Sequence, residues 1–415
     1  MNRRAKIRQL SLLVSILLGI GTLGFLVVLT DFTARDFQTY YYAATNVLSG
    51  AQFIGTTPQM PTGPYVYLPI TVIFYLPFAL LPKWTVAYPL LIAINVLGGT
   101  VLAILLARTL QDRGRSLSRL DMGLLIGLFT FSPVAVLNIA QTQPNLWLAV
   151  CVLLGFRCAE KQQNEAAGVL FAIPAMFKLW PAFFGVWLAY QRNWRAIGAA
   201  VLTGLSALLA SVLVFGVRLN QRYFNHILTE RRWADRFAGG IDPDKAIVTV
   251  RRPISVLLPS VDPTLMALLG FAVTGGILAG VYWLANQSET DPIVTFGVTL
   301  TLVTVAFPSV TAYLVFLLIP ATALLYKATT KRVVVALTIS IVLLAMPFTP
   351  RQIVSLLDLL PLPAPLGGVL SQVTFNTLQF GLLPLWGAFV LVCCLALRAM
   401  KSSKTARRMG WPANQ

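Results

Sequence analysis

The chain has 415 residues, of which 57% are hydrophobic and 11% charged, with a formal net charge of +18 and a mean hydropathy of +0.76. So few charges cannot cover the surface of a soluble protein of this length, which excludes that class and leaves no room for a separate soluble domain. The basic residues sit in short segments between apolar runs, so anionic lipid rather than nucleic acid is the expected partner.

The first apolar run, Leu10–Thr30, follows the basic stretch MNRRAKIRQL. It is longer than the ~7–15-residue core of a cleaved signal peptide, and reads as an uncleaved first span with its N-terminus inside. Residues 31–83 then form a first exterior loop. Within it, Phe37, Tyr40, Tyr41, Ala44, Val47 and Leu48 fall on one helical face, with Gly50 as a stop. A short amphipathic helix on the membrane surface is expected over 37–49, with Asp36 at its N-terminus. Tyr65–Leu81 is apolar but carries Pro69 and Pro77, and reads as a re-entrant or membrane-surface helix.

Spans are expected at Trp84–Arg108 and Met122–Ile139. A short one follows at Asn145–Phe156, with Arg157 reaching back to the interface. Ala166–Tyr190 has Pro174 and Pro181 around a central Lys178. It is either one broken span or two half-helices entering and leaving on the same side, and its basic and polar flanks favour the hairpin. Ile197–Val217 is the next span. A basic exterior loop, Arg218–Arg252, follows with eight basic and four acidic residues. The later spans are Leu265–Asn286, Pro292–Phe307, Val310–Tyr326, Val333–Phe348 and Leu378–Leu397, before a basic cytoplasmic tail over 398–415. The expected fold is all-α and polytopic. It has about ten spanning helices, a re-entrant hairpin and exterior juxtamembrane helices, in one domain over 1–415.

Few groups are available for chemistry. There are 14 carboxylates, and only Asp31, Asp36, Glu230, Asp235, Asp242, Asp244, Asp262 and Asp358 fall on the exterior side. Asp36 is either a helix N-cap, with Tyr40 and Tyr41 as an aromatic belt, or a base at the membrane exit. Lys178 lies in an apolar segment, where a lone cation is costly and usually functional, so phosphate or a carboxylate is its expected partner. Gln143 and Asn145 are either a polar turn between short helices or ligands of sugar hydroxyls. His226, the single histidine, sits in a polar loop and is expected to be solvated. The four cysteines show neither a disulfide framework nor metal-ligand spacing, so no metal and no cofactor are expected.

The segments Asp36-Phe-Gln-Thr-Tyr-Tyr-Tyr-Ala-Ala, Leu48-Ser-Gly50 and Tyr65-Val-Tyr67-Leu-Pro69 resemble the opening of glycosyltransferase family 87. These are integral-membrane GT-C transferases typified by polyprenyl-phosphate-mannose-dependent α-1,2-mannosyltransferases. Further along, Gln143-Pro-Asn145 resembles the family's Gly-Gln-x-Asn, with Thr142 in place of glycine. Ala167-Gly168 leading to Phe177-Lys178-Leu-Trp-Pro181, then Trp194-Arg195, is similar to its Ala-Gly…Lys-x-x-Pro segment. Pro308-Ser309-Val-Thr-Ala312-Tyr313 resembles a late element in which Ala312 replaces a histidine. The resemblance covers roughly residues 10–326.

It implies an inverting transfer of a sugar, mannose or another hexose, from a polyprenyl-phosphate donor to a glycan or glycolipid hydroxyl. Asp36 would be the general base, and Tyr40 and Tyr41 would line the acceptor or sugar site. Lys178, Arg251, Arg252, Gln143, Asn145 and Tyr313 would hold donor phosphate or sugar, with the arginines replacing the missing histidine. The active site would be extracytoplasmic and both termini cytoplasmic, in the plasma membrane. A transporter or flippase of a polyprenyl-linked glycan is the alternative, and a scaffold role the third reading.

Overall fold

The computed structural model describes residues 3–29, 34–54, 65–226, 242, 245–287, 290–346, 348–358, 361 and 363–408. Among them the secondary structure is helical except for one pair of two-residue strands, as expected for an all-α membrane protein. The single domain expected from sequence divides into two compact units, Gly19–Arg232 and Met1–Leu18 with Trp233–Gln415. The long first helix, α1 (Arg3–Leu29), contributes to both.

The first unit continues with α2 (Arg35–Leu48) and a 3₁₀ stretch, Pro69–Tyr75, running into α3 (Leu76–Ala79). Then come α4 (Trp84–Gln111), α5 (Arg119–Phe131), α6 (Pro133–Ala140), α7 (Asn145–Glu160) and α8 (Asn164–Phe177). A second 3₁₀ stretch, Trp180–Phe184, leads into α9 (Gly185–Tyr190), and α10 (Trp194–Asn225) closes the unit. The expected span Met122–Ile139 is broken. Ser132 ends α5 and caps α6 through its side chain, Pro133 opens α6, and the two helices bend by 50°.

Ala166–Tyr190 turns back on itself. Lys178 is extended (φ −144°, ψ 125°) at the break after α8. Phe171 before it and Trp187 after it have ring centroids 6.1 Å apart. A continuous helix would separate those residues by about 24 Å. At the open end, Asn193 Nδ2 donates to Asn164 Oδ1 at 2.8 Å, so the segment enters and leaves at one end. Its first arm packs on α10. Gly168 makes that crossing close, because a Cβ there would lie 2.1 Å from the Ala196 carbonyl oxygen.

α10 runs through the expected end of its span to Asn225, so Arg218 and Arg222 are helical rather than loop residues. Gly216 breaks its ladder (φ 79°, ψ 162°). Asn220 Nδ2 caps the loosened carbonyls of Ser211 (3.1 Å) and Gly216 (2.9 Å), as an apolar surrounding requires. Leu202, Leu205, Leu209 and Leu213 stand 58–76% exposed along it, a row that faces lipid. Residues 227–241, 243 and 244 of the expected basic loop, which include Glu230, Asp235 and Asp244, lie outside the described residues, as does Asp31.

The second unit holds β1 (Ile247–Val248), α11 (Arg251–Leu257), α12 (Pro263–Asn286), α13 (Pro292–Ala306) and β2 (Ser309–Val310). A 3₁₀ turn, Thr311–Leu314, leads into α14 (Val315–Lys327), followed by α15 (Lys331–Leu344), α16 (Pro350–Leu357), α17 (Ala364–Phe380) and α18 (Leu383–Arg408). α13 is buried on every face and α14 almost so, and the two form the core. The threonines of α13 satisfy their hydroxyls on carbonyls one turn back, as Thr299 does on Thr295 at 2.7 Å. The expected span Leu378–Leu397 is divided at Gly381–Leu382 between α17 and α18. Five described helices are long and apolar enough to cross a membrane, six with the bent pair, and of the other expected spans Pro292–Phe307 and Val310–Tyr326 correspond to shorter apolar helices, Pro292–Ala306 and Thr311–Lys327.

Candidate active site

α2 forms where the periodicity places it. Phe37, Tyr40, Tyr41 and Ala44 are buried on one face. The helix stops as the sequence suggests, with Gly50 in the left-handed region (φ 70°) and Ala51 N donating to Asn46 O at 2.8 Å. Its start differs from the simpler reading. Ala34 is the N-cap, left-handed at φ 47°, and no side chain caps the helix. Asp36 is the second helical residue, half-buried in the first turn, where the helix dipole favours a carboxylate.

Its partner comes from the turn between α6 and α7. Gln143 Nε2 donates to Asp36 Oδ2 at 2.5 Å. Gln143 Oε1 accepts from Asn145 Nδ2 at 2.7 Å. The same Nδ2 donates to Asn138 Oδ1 on α6 at 2.7 Å, and Asn145 Oδ1 accepts from Lys178 Nζ at 2.6 Å. Asn138 in turn donates to the Val134 carbonyl at 2.8 Å. Asn138 and Asn145 are fully buried and Lys178 is 7% exposed. An unbroken chain of hydrogen bonds therefore links the buried Lys178 amine to the carboxylate of Asp36.

The turn that carries Gln143 is held by two backbone bonds, Gln143 N to Asn138 O (2.9 Å) and Thr142 N to Ile139 O (3.1 Å). This motif needs a left-handed residue after the helix end, and Thr142 adopts it at φ 51° while almost fully buried. A glycine at this place would meet the demand without strain.

Aromatic side chains close the other side. The Tyr40 hydroxyl shares a hydrogen bond with that of Tyr67 at 2.7 Å, and its ring stacks on Tyr75 at 4.7 Å. Burial pushes the Tyr40 hydroxyl well above its usual range, and Tyr67 and Asp36 add to the effect, so it stays protonated. Tyr41 faces elsewhere. Its hydroxyl donates to the Leu81 carbonyl at 2.7 Å and anchors α2 to the segment before α4.

Arg251, Arg252 and Tyr313 belong to the second unit. β1 pairs antiparallel with β2, Ile247 opposite Val310 and Val248 opposite Ser309. That ladder holds the start of α11 beside the segment leading to Ala312 and half-buried Tyr313. Arg252 is fully buried, with Nε on the Gln379 carbonyl (3.0 Å) and Nη1 on the carbonyls of Lys245 (3.0 Å) and Ile247 (3.4 Å). Its Nη2 has no hydrogen-bond partner among the described residues. Arg251 lies over the Phe271 ring at 4.9 Å. Burial lowers both guanidinium groups to about 10, which leaves them charged at neutral pH. His226 is buried at 9% exposure, contrary to the solvated position expected of it.

Of the residues in this hydrogen-bonded and aromatic cluster, sequence reasoning singled out Asp36, Tyr40, Gln143, Asn145 and Lys178 as candidates and did not single out Asn138, Tyr67 or Tyr75. Asn138 sits in an apolar run that reads as a span. Tyr67 and Tyr75 flank a proline-broken stretch; Tyr67 had its place in the Tyr65–Pro69 resemblance, and Tyr75 had only the density of tyrosine in this region.

At the end of the first unit away from Asp36, Arg157 Nη2 pairs with Asp112 at 2.8 Å, and Arg113 with Glu160. Arg115, Arg119, Lys161, Arg192 and Arg195 belong to the same end, since they flank the termini of α4, α5, α7, α9 and α10 that meet there. An apolar cavity of about 340 Å³ lies between α8, α9 and α10. It is lined by residues including Leu68, Phe171, Met176, Leu179 and Leu208. Leu68 follows Tyr67 and Leu179 follows Lys178, so the cavity adjoins the polar cluster.

A family model described as glycosyltransferase family 87 matches residues 65–308, more than half of the chain. The match is narrower than the resemblance read from sequence. It includes Gln143, Asn145, Lys178, Arg251 and Arg252, while Asp36, Tyr40, Tyr41 and Tyr313 lie outside it. Comparison with curated proteins and with solved structures gives no match.

Proposed function

The chain belongs to glycosyltransferase family 87 and is a membrane glycosyltransferase, and on that premise we propose a hexosyltransferase that takes its sugar, mannose or another hexose, from a polyprenyl-phosphate donor. The acceptor is a hydroxyl of a glycan or glycolipid. Family membership sets the transporter and scaffold readings aside.

The observation that carries the mechanism is the hydrogen bond from Gln143, inside the family match, to Asp36 outside it. Asp36 is the general base. As the acceptor oxygen bonds to C1 of the sugar, its proton passes to the carboxylate. The bond from C1 to the phosphate oxygen breaks with its electrons on the phosphate, and the anomeric centre inverts. Tyr40 borders the acceptor or sugar site, and Gln143 and Asn145 stand beside it. Arg251 and Arg252 are the proposed phosphate cations, in the place of the histidine replaced by Ala312, and Tyr313 is a further candidate there. Fixed cations stabilise a leaving phosphate without reorganising during the reaction.

The charge distribution supports an extracytoplasmic site. The basic cluster at the far end of the first unit suits a cytoplasmic face beside anionic lipid, and the Asp36 cluster lies at the other end. The termini are then cytoplasmic and the membrane is the plasma membrane. The apolar cavity beside the cluster supports a donor with an apolar tail, since it falls in the usual range of ligand pockets, about 300–1,000 Å³.

The test uses purified protein in lipid vesicles with radiolabelled polyprenyl-phosphate-mannose, then polyprenyl-phosphate-glucose and polyprenyl-phosphate-galactose, and an acceptor glycolipid extract. Transfer with an inverted anomeric linkage is expected from one of these donors. Transfer from a nucleotide sugar instead, or retention of configuration, overturns the proposal.

A further inference from the structure

The hydrogen-bond chain from Lys178 to Asp36 has a direction, and the chemistry of its members fixes that direction. An ammonium has donors only, so the group facing Lys178 must be the oxygen of Asn145. The Asn145 amide nitrogen then points the other way and supplies both its protons, to Gln143 Oε1 and Asn138 Oδ1. Gln143, having presented its oxygen, must offer its nitrogen to Asp36. Neither amide can flip without placing two donors or two acceptors face to face in a buried site. Asn138 holds the branch, because its own nitrogen is engaged by the Val134 carbonyl.

We propose that Lys178 is a positioning residue that acts on Asp36 through Asn145 and Gln143, holding the carboxylate ionised and oriented as an acceptor. Of the two partners expected of Lys178 from sequence, phosphate or a carboxylate, this takes the carboxylate, and its catalytic meaning rests on Asp36 being the base. A 7%-exposed lysine bonded to a fully buried asparagine is poorly placed to meet a large anion, and well placed to polarise two amides. The arrangement also answers the cost of a buried cation, since Lys178 and Asp36 neutralise each other across the amides.

Other titratable groups lie around Asp36. Tyr40 on its own helix and Tyr75 on the 3₁₀ stretch feel its charge, and Tyr67 bonds to Tyr40. Arg35 is the adjacent residue on α2 and is exposed. α3 carries no titratable side chain, and Tyr88 on α4 directs its hydroxyl to the Ala140 carbonyl at 2.7 Å. Among these groups, Lys178 is the buried cation.

The test is an infrared titration of Asp36 in the full-length protein in lipid nanodiscs, with the Asp36→Asn spectrum subtracted to isolate its carboxyl band. Removing a positive charge disfavours the carboxylate, so Lys178→Met raises the midpoint. The expected rise is about one pH unit, the size for a unit charge ~10 Å away at an effective dielectric of ~20. Lys178→Arg restores most of it. Gln143→Leu, which leaves the lysine in place but cuts the chain, also raises it. In the double variant the two shifts combine to less than their sum, as groups in one network do.

A midpoint unchanged in Lys178→Met or in Gln143→Leu overturns the proposal, and so does full additivity, which would mean that Lys178 acts through space or through folding alone. If Lys178→Met does not accumulate in membranes, Gln143→Leu carries the test. The titration needs no substrate. A wild type that transfers no sugar but shows these shifts refutes the donor assignment and leaves the relay standing.

Discussion

Thr142 supplies the sharpest test of the geometry that presents Gln143. It is a β-branched residue at φ 51°, 1% exposed, in the turn that sets the Gln143 backbone. Its hydroxyl reaches only the adjacent Gln141 carbonyl, at 2.8 Å, so little is lost when the side chain is removed. Consider Thr142→Gly beside Thr142→Ala. An L-residue in the left-handed region costs roughly 1–2 kcal/mol relative to glycine. Glycine returns about 0.4–1 kcal/mol of that through the greater freedom of its unfolded chain. The glycine variant is therefore the more stable of the two by about 0.5–1 kcal/mol. That corresponds to roughly 1–4 °C in unfolding temperature for a unit of this size. The assay is thermal unfolding in detergent followed by tryptophan fluorescence, with sugar transfer measured alongside and expected to be retained in both. An alanine variant as stable as the glycine variant, or more so, refutes the reasoning, because it means that the turn is not left-handed.

Three further outcomes follow from the same contacts. Gly168→Val places a Cβ 2.1 Å from the Ala196 carbonyl and 2.7 Å from the Ala199 Cβ. It is expected to destabilise the first unit by about 1–3 kcal/mol, visible as a lower unfolding temperature. The raised titration of Tyr40 gives a linkage with a definite sign: the folded state holds the proton more tightly, so this contribution is intact below pH 10 and is lost as pH rises above it. Unfolding temperature should fall above pH 10 less steeply in Tyr40→Phe than in the wild type. Arg252→Lys keeps the charge but not the fork that reaches the Gln379 and Lys245 carbonyls, so unfolding temperature falls. If Arg252 also binds phosphate, donor KM rises in the same variant.

Much of this was legible in the sequence because membrane helices announce themselves through length and apolarity. The boundaries of α2 followed from a 3.6-residue period and a glycine in the left-handed region. The break at Lys178 followed from two prolines and a cation that no apolar segment holds without cause. What was hidden depended on contacts between distant segments. Whether Asp36 caps its helix or stands inside the first turn is a one-residue difference in backbone angle, decided by Ala34 rather than by Asp36. Asn138 was invisible, because a single asparagine in an apolar run gives no sign that its partner lies seven residues on, beyond a turn. The bend at Ser132–Pro133 was readable in principle, since a serine followed by proline is a helix start. Apolarity alone joined the two helices.

The most direct measurement compares single-turnover transfer by wild type and Asp36→Asn, with donor binding measured in parallel. The substitution preserves shape and removes the base. The chemical step is expected to slow by about 10²–10⁴-fold, the usual contribution of general-base catalysis, with donor affinity changed little. Transfer by Asp36→Asn within about threefold of the wild type, at equal donor occupancy, contradicts the account and leaves Asp36 as a helix residue that Gln143 happens to meet.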